Sequence, residues 1–271
     1  PDVIRKIVAN NNMTTELAKV IEHSFGTYMV GCGTAAYACL AGTYIFSKIA
    51  KKHLNWSVGS EFGYIADFLT PKSLVLALSQ SGETIDVLEA VKAARKKGSK
   101  VASLVNVEGS TLFRMSDLNL LLGAGVEKAV VSTKAFTAKL ANLMLLASIL
   151  SKNGNEVTNM LKKSIIAVEQ VLNEKNLKEI RNLVDLIYKK ENIYVIGRGL
   201  SYPVALETAL KIKEASYIHA EGFAAGELKH GVIALLEAGT PCIAFLPNDE
   251  TYDATLAGVM DMKARGGYII G

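Results

Sequence analysis

Residues 73–97 read SLVLALSQSGETIDVLEAVKAARKK. The segment SLVLAL (73–78) is almost continuously apolar, the pattern of a strand buried on both faces of a sheet. IDVLEAVKAARKK has the spacing of an amphipathic helix. Between them lies SQSGET (79–84), four of whose six residues are Ser, Gln, Ser and Thr. Strand, short polar turn, helix is half of a βαβ unit, and it predicts a parallel sheet with right-handed crossovers. In such sheets ligands bind beyond the carboxyl ends of the strands, where this turn falls.

Outward from this segment the same alternation recurs. TYMVGC (27–32), NWSV (55–58), KVASLVNV (100–107) and DLNLLLG (117–123) read as further strands. From residue 133 the pattern is helical only: TKAFTAKLANLMLLASILSK, then helices at 156–171 and 176–189. Strands return at NIYVIGRG (192–199) and PCIAFLP (241–247), with helices at 202–216 and 250–264 and a closing GGYIIG. YMVGCGTAAYACLAGTYIFSKIA aligns with YVIGRGLSYPVALETALKIKEAS, GSEFGYIADF with HAEGFAAGEL, and LVLALSQSGETIDVL with CIAFLPNDETYDATL. The expected fold is therefore α/β. It has two repeated units, each a parallel sheet flanked by helices, with the second incomplete at the carboxyl terminus and showing three clear strands. The domain boundaries expected are 14–152 for the first unit, 153–190 for connecting helices and 191–271 for the second.

The chain has 271 residues, half of them hydrophobic and 21% charged, a globular composition with a sizeable core. Thirty basic against 26 acidic residues give a net charge of +4, too small an excess to indicate nucleic acid. Three cysteines without a CxxC pair read as reduced thiols in a cytoplasmic protein. The run LANLMLLASIL has 11 residues, short of a membrane span. The start, PDVIRKIVANNN, has no signal-peptide pattern and no initiating Met, and reads as the interior of a longer gene product.

The hydroxyls of SQSGET admit two readings. One is a helix cap, with Ser81 and Thr84 spaced as in a capping box. The other is an anion cradle, in which Ser79, Ser81 and Thr84 add donors to the free N–H groups of a helix start and Gly82 permits close approach. The second repeat carries PNDETY at the position aligned with SQSGET, so the scaffold does not demand hydroxyls there. Gly31-Cys32-Gly33-Thr34 ends a neighbouring strand and could join the same pocket. It is not a dinucleotide fingerprint, and no P-loop is present, so no cofactor is expected. Ser132-Thr133 is placed to cap the helix from 134, beside the same strand ends.

The segment ALKIKEASYIHAEGFAAGELKHG (209–231) concentrates charge. Glu207, Lys211 and Glu214 share a helix face, a pattern that a salt-bridged exposed surface also produces. Glu214 and His230 flank GFAAGEL, which reads as a tight buried loop. Burial there would raise the glutamate toward neutrality and make the two a candidate acid–base pair. His219 and His53 read as structural. No His/Cys/Asp cluster has metal-ligand spacing, so no metal is expected.

Together SQSGET, STKAF and YIHAEGFAAGELKHG closely resemble the sugar isomerase (SIS) domains of glutamine–fructose-6-phosphate aminotransferase, also called glucosamine-6-phosphate synthase. The resemblance covers essentially the whole chain. It implies a homodimer that binds fructose 6-phosphate, a hexose 6-phosphate, and converts it with ammonia to glucosamine 6-phosphate. By matching positions it implies phosphate binding at Ser79, Gln80, Ser81 and Thr84, with Thr34 nearby, and a sugar site lined by Val130 and Ser132. It further implies Glu214 as the base between C1 and C2, Lys211 beside the reacting carbons, and His230 as a ring-opening residue reaching in from the neighbouring subunit. Ala35 stands where the family often has Ser. The family's glutaminase domain, which supplies ammonia, and its carboxyl-terminal tail lie outside these 271 residues, so turnover by this chain alone is expected to be slow or absent. Two other readings stay open. One is a regulatory SIS protein that binds a sugar phosphate without turnover. The other is a related sugar-phosphate isomerase or deglycase.

Overall fold

A computed structural model describes residues 1–9, 14–129, 131–151 and 153–271. The chain divides into two compact units, Pro1–Val171 and Leu172–Gly271. The stretch 153–190, expected as connecting helices, falls on both sides of that division.

The first unit holds helices α1 (Asp2–Ala9) and α2 (Thr14–His23), strand β1 (Gly26–Gly31) and helix α3 (Thr34–Ile45), which runs on through a π turn at Phe46–Ala50. There follow β2 (Asn55–Val58), a short helix α4 (Gly59–Phe62) with a 3₁₀ turn, β3 (Ser73–Ser79), α5 (Ile85–Lys96), β4 (Lys100–Val105), α6 (Thr111–Met115) and β5 (Leu118–Leu121). Helices α7 (Lys134–Ser151) and α8 (Gly154–Val171) complete it. The strands form one parallel sheet in the order β2-β1-β3-β4-β5. Every residue of β3 is buried, as a central strand covered on both faces requires. One face carries α1, α2, α3 and α7 through Ile4, Ile21, Cys39 and Leu146; the other carries α5 and the 59–69 segment through Phe62, Val87 and Val91.

The 11-residue apolar run proves to be the carboxyl-terminal part of α7. By length and composition this 18-residue helix could cross a membrane, yet over half of it is buried inside the unit, packed on α1, α2, α3 and α8.

The second unit contains α9 (Glu174–Ile187), β6 (Asn192–Gly197), α10 (Ser201–Ser216), β7 (His219–Ala224), β8 (Pro241–Ala244), α11 (Tyr252–Ala264) and β9 (Tyr268–Ile270). Its sheet is parallel and smaller, in the order β7-β6-β8-β9. Four strands replace the three expected. The missing one, β7, includes the start of the supposed buried loop GFAAGEL. It is an edge strand, half-exposed and carrying His, Glu and Gly, so it lacks the apolar run that marks a central strand.

Strand register corrects two of the repeat alignments. Gly31 pairs with Val58, and its counterpart Gly197 pairs with Ala224. Gly59 therefore corresponds to Ala225 rather than to His219. Tyr28 pairs with Val75 and Tyr194 with Cys242, which moves the loop comparison by one residue. The counterpart of SQSGET is LPNDET, so Thr84 matches Thr251, and each of the two residues directly precedes its helix.

Candidate functional site

In the first unit the hydroxyl loop closes on itself. Ser79, buried at the end of β3, accepts the Gly82 N–H through its Oγ at 3.0 Å and lies 3.2 Å from Thr84 Oγ1. Ser81 Oγ accepts the Glu83 N–H at 3.1 Å. One hydroxyl proton is used between Ser79 and Thr84. The other of that pair, and the proton of Ser81, remain free to point at a bound group. Gly82 has φ +72°, and a Cβ there would stand 2.1 Å from Ser110 Oγ. Only glycine fits, for both reasons.

Of the two readings of the loop, the capping box does not hold. Thr84, not Ser81, is the residue that caps α5, and its side chain makes no cap hydrogen bond. The cap of α3, Gly33, has no side chain to give (φ 53°, ψ −126°). By contrast, Ser110 and Asn173 close the first turns of α6 and α9 with side-chain oxygens. So α3 and α5, both starting at the carboxyl edge of the sheet, leave first-turn N–H groups and their positive dipole ends without a side-chain cap. Thr34 and Ala35 are buried in the first turn of α3. Cys32, just before the Gly33 cap of α3, is half-buried; burial first, and Asp86 second, push its thiol up from its ordinary value.

Ser132 does not cap α7 either. The Ala135 N–H is met by Glu127 Oε2 at 3.4 Å, and Ser132 Oγ is buried without a hydrogen-bond partner among the described residues. A buried hydroxyl left unpaired costs free energy, and a ligand atom is one way to satisfy it. Val130, expected beside it, lies outside the described residues.

Two clefts of roughly 490 and 580 Å³ open at the opposite, amino-terminal edge of the first sheet, lined by residues such as Glu16, Val20 and Lys100. They lack the uncapped helix starts, and the chemistry favours the loop.

In the second unit Glu207, Lys211 and Glu214 stack along α10. Lys211 Nζ lies 3.5 Å from Glu207 Oε1 and also pairs with Glu214 Oε2. The exposed-surface reading fails for Glu207, which is only 6% exposed.

Glu214 and His230 depart from expectation. Both are exposed, so the burial invoked to raise the glutamate is absent. They also lie on opposite faces of the second sheet. Helix α10 packs on Ile193 and Val195, while the segment after β7, with Leu228 in its 3₁₀ turn, packs on Tyr194 and Ile196. Alternate residues of β6 face opposite ways, so a sheet stands between the carboxylate and the imidazole. One copy of this unit does not bring them together. His219 Nδ1 sits 2.9 Å from Asn192 Oδ1 across the edge pair, in keeping with a structural role.

Comparisons with known proteins agree with this architecture. The SIS domain family model matches residues 24–149 and 186–271. A glutamine–fructose-6-phosphate aminotransferase [isomerizing] of Caldanaerobacter subterraneus subsp. tengcongensis is 40% identical over 97% of this chain, and the matched region is 44% of that protein. The enzyme of the same name from Thermococcus kodakarensis is 40% identical over 97% of the chain and 45% of its own length. The chain thus spans less than half the length of these curated relatives. Among solved structures, the C-terminal domain of glucosamine-fructose-6-phosphate aminotransferase from Francisella tularensis superposes with a TM-score of 0.90. It is 33% identical, covering 99% of this chain and 79% of that one. With two parallel α/β units, the family match over both, and these relatives, the chain belongs to the SIS domain family, in the group found in glutamine–fructose-6-phosphate aminotransferases.

Proposed function

We propose that this chain is a sugar-phosphate isomerase part, binding fructose 6-phosphate and converting it with ammonia to glucosamine 6-phosphate. The observation that carries the reading is the self-closed loop Ser79–Thr84, with free hydroxyl protons in front of the uncapped α5. It offers a phosphate neutral donors and a helix dipole without an arginine. Ser79, Gln80, Ser81, Thr84 and Thr34 hold the phosphate, and Val130 and Ser132 line the sugar. Glu214 takes the proton from C1 and returns it to C2 after ammonia has condensed with the carbonyl and released water. Lys211 keeps that carboxylate oriented. His230 opens the sugar ring, and it comes from a second copy of the chain in a homodimer. Ammonia comes from a glutaminase domain of the longer protein.

Titration of fructose 6-phosphate into the purified chain by calorimetry tests the reading. Saturable binding that Ser81→Ala weakens supports it, and no heat with any hexose 6-phosphate overturns it. The placement of Glu214 and His230 on opposite faces favours one second reading, sugar-phosphate binding without turnover. Incorporation of solvent deuterium at C1 or C2 of the bound sugar separates the two.

A further inference from the structure

We infer that Asn106 is a positioning residue for the proposed site, holding the sugar-lining segment at a set distance from the phosphate loop; this rests on the reading of Ser79–Thr84 as the phosphate cradle and of Ser132 as a sugar contact. Asn106 is the first residue after β4. Ser79 pairs with Val105 at the end of the β3–β4 ladder, and the Asn106 N–H carries that ladder one residue further, donating to the Gln80 carbonyl oxygen at 3.2 Å. On the other side the Leu122 N–H donates to the Val105 carbonyl oxygen at 2.9 Å. There the Asn106 side chain takes over from the backbone. Its Oδ1 accepts the Ala124 N–H at 3.1 Å, and its Nδ2 donates to the Gly125 carbonyl oxygen at 2.8 Å. A side-chain amide thus stands in for one more peptide of β4, its orientation fixed by one donor and one acceptor.

The segment it holds needs a tether. Gly123 and Gly125 have φ of +68° and +66°, and two glycines so close together leave a backbone with little stiffness of its own. Beyond them the chain is tied to α7 instead: the Lys134 ammonium donates to the Val126 carbonyl oxygen, and Glu127 Oε2 accepts the Ala135 N–H. Ser132, whose buried hydroxyl has no partner among the described residues, stands at the far end of this segment. Asn106 therefore bonds both ways, through its N–H to the loop at 79–84 and through its side chain to the segment leading to Ser132. It touches neither phosphate nor sugar in this reading; it sets the span between the groups that do. Loss of its side chain releases the sugar segment and leaves the phosphate loop in place, because the bond to Gln80 is made by backbone. A residue that only stabilised the fold would affect both ends alike.

Titrations of the whole chain with two ligands, followed by the amide resonances of the loop, test this without requiring turnover. Inorganic phosphate needs the loop alone, whereas fructose 6-phosphate needs the loop and the sugar segment. In Asn106→Ala the affinity for fructose 6-phosphate falls about tenfold while that for inorganic phosphate stays within about twofold, the split expected when one end of a pre-formed pocket is released. Hydrogen exchange at the Ala124 amide of the ligand-free chain speeds up about tenfold or more, and exchange at Gly82 does not change. Asn106→Ser, neutral and still polar but too short to hold both partners, gives the same split and supplies the answer if the Ala variant does not fold. Equal losses for the two ligands, unchanged fructose 6-phosphate affinity in a folded Asn106→Ala chain, or unchanged exchange at Ala124 overturns the inference. If the wild-type chain binds neither ligand, the phosphate reading fails by itself, and exchange at Ala124 still decides whether Asn106 holds the segment.

Discussion

Glu214 and His230 lie on opposite faces of the β7-β6-β8-β9 sheet, the first on α10 and the second on the 3₁₀ turn that covers the other side. Within one copy they cannot share a proton. If both serve one reaction, as proposed, a second copy must supply the histidine. Glu214→Gln and His230→Ala chains, each inactive alone, should therefore complement when mixed. In the mixed dimer one of two sites holds an intact Glu214 and an intact His230, so random assortment restores about a quarter of wild-type deuterium exchange. Exchange in the mixture no higher than in either variant alone would sink the shared-site reading.

The loop at 79–84 separates structural from ligand-facing hydroxyls. Ser79 Oγ satisfies the buried Gly82 N–H, so Ser79→Ala should destabilise the chain by about 1–3 kcal/mol, measured by urea unfolding, as well as weaken binding. Ser81 satisfies only the Glu83 N–H at a less buried position. Ser81→Ala should leave the unfolding midpoint nearly unchanged and reduce fructose 6-phosphate affinity about tenfold, the loss of one hydrogen bond to a charged group. Equal stability losses from the two substitutions would contradict this division.

Gly82→Ala should destabilise twice over. The left-handed φ of +72° costs about 1–2 kcal/mol for a residue with a Cβ, and contact with Ser110 Oγ adds to it. Measured against Ser110→Ala alone, which removes the α6 cap that Ser110 Oγ makes to the Phe113 N–H, adding Gly82→Ala should cost less than it does in the wild-type chain but should keep the whole backbone term. Thermal melts of the single and double variants measure the two parts, and a double variant as stable as Ser110→Ala alone would show that φ carries no cost.

Glu83 ties the loop to α6 by accepting the Thr111 N–H at 2.8 Å, and this hydrogen bond holds its carboxyl below the ordinary value of 4.5. A depressed carboxyl adds stability that is present above the unfolded value and lost as pH falls through the folded one. The wild-type chain should thus lose stability relative to Glu83→Gln on acidification below about pH 4.5. Stability curves of the two proteins that stay parallel through that range would show the bond to be without effect.

Much of the architecture was legible in residues alone. Continuous apolar runs such as SLVLAL mark strands covered on both faces, and their alternation with amphipathic helices leaves parallel βαβ units as the economical solution. The Gly-x-Gly turns at 31–33 and 197–199 exposed the repeat, because both precede a helix that presses on its strand. Gly31 and Gly197 have no room for a Cβ against Ala35 and Ser201. The hydroxyl loop was visible as a composition out of proportion to a simple turn.

Tertiary structure decided the rest. An edge strand is half-solvated and carries no periodic signature, so β7 was hidden in a segment that reads as a loop, and with it the true register of the repeat. Helix caps depend on which oxygen comes within reach of which N–H: spacing offered a capping box from Ser81 to Thr84 as one reading and a cap at Ser132-Thr133, whereas the fold gives α5 no side-chain cap and lets Glu127 accept the Ala135 N–H of α7. The 23-residue proximity of 209–231 suggested that Glu214 and His230 meet, but a strand intervenes and passes the chain to the other face of the sheet. Glu207 shows the same limit in reverse: its spacing is that of a surface ion pair, yet it is only 6% exposed. Sequence records local periodicity and side-chain chemistry; which side of a sheet a residue occupies, and what covers it, is set by how distant segments pack.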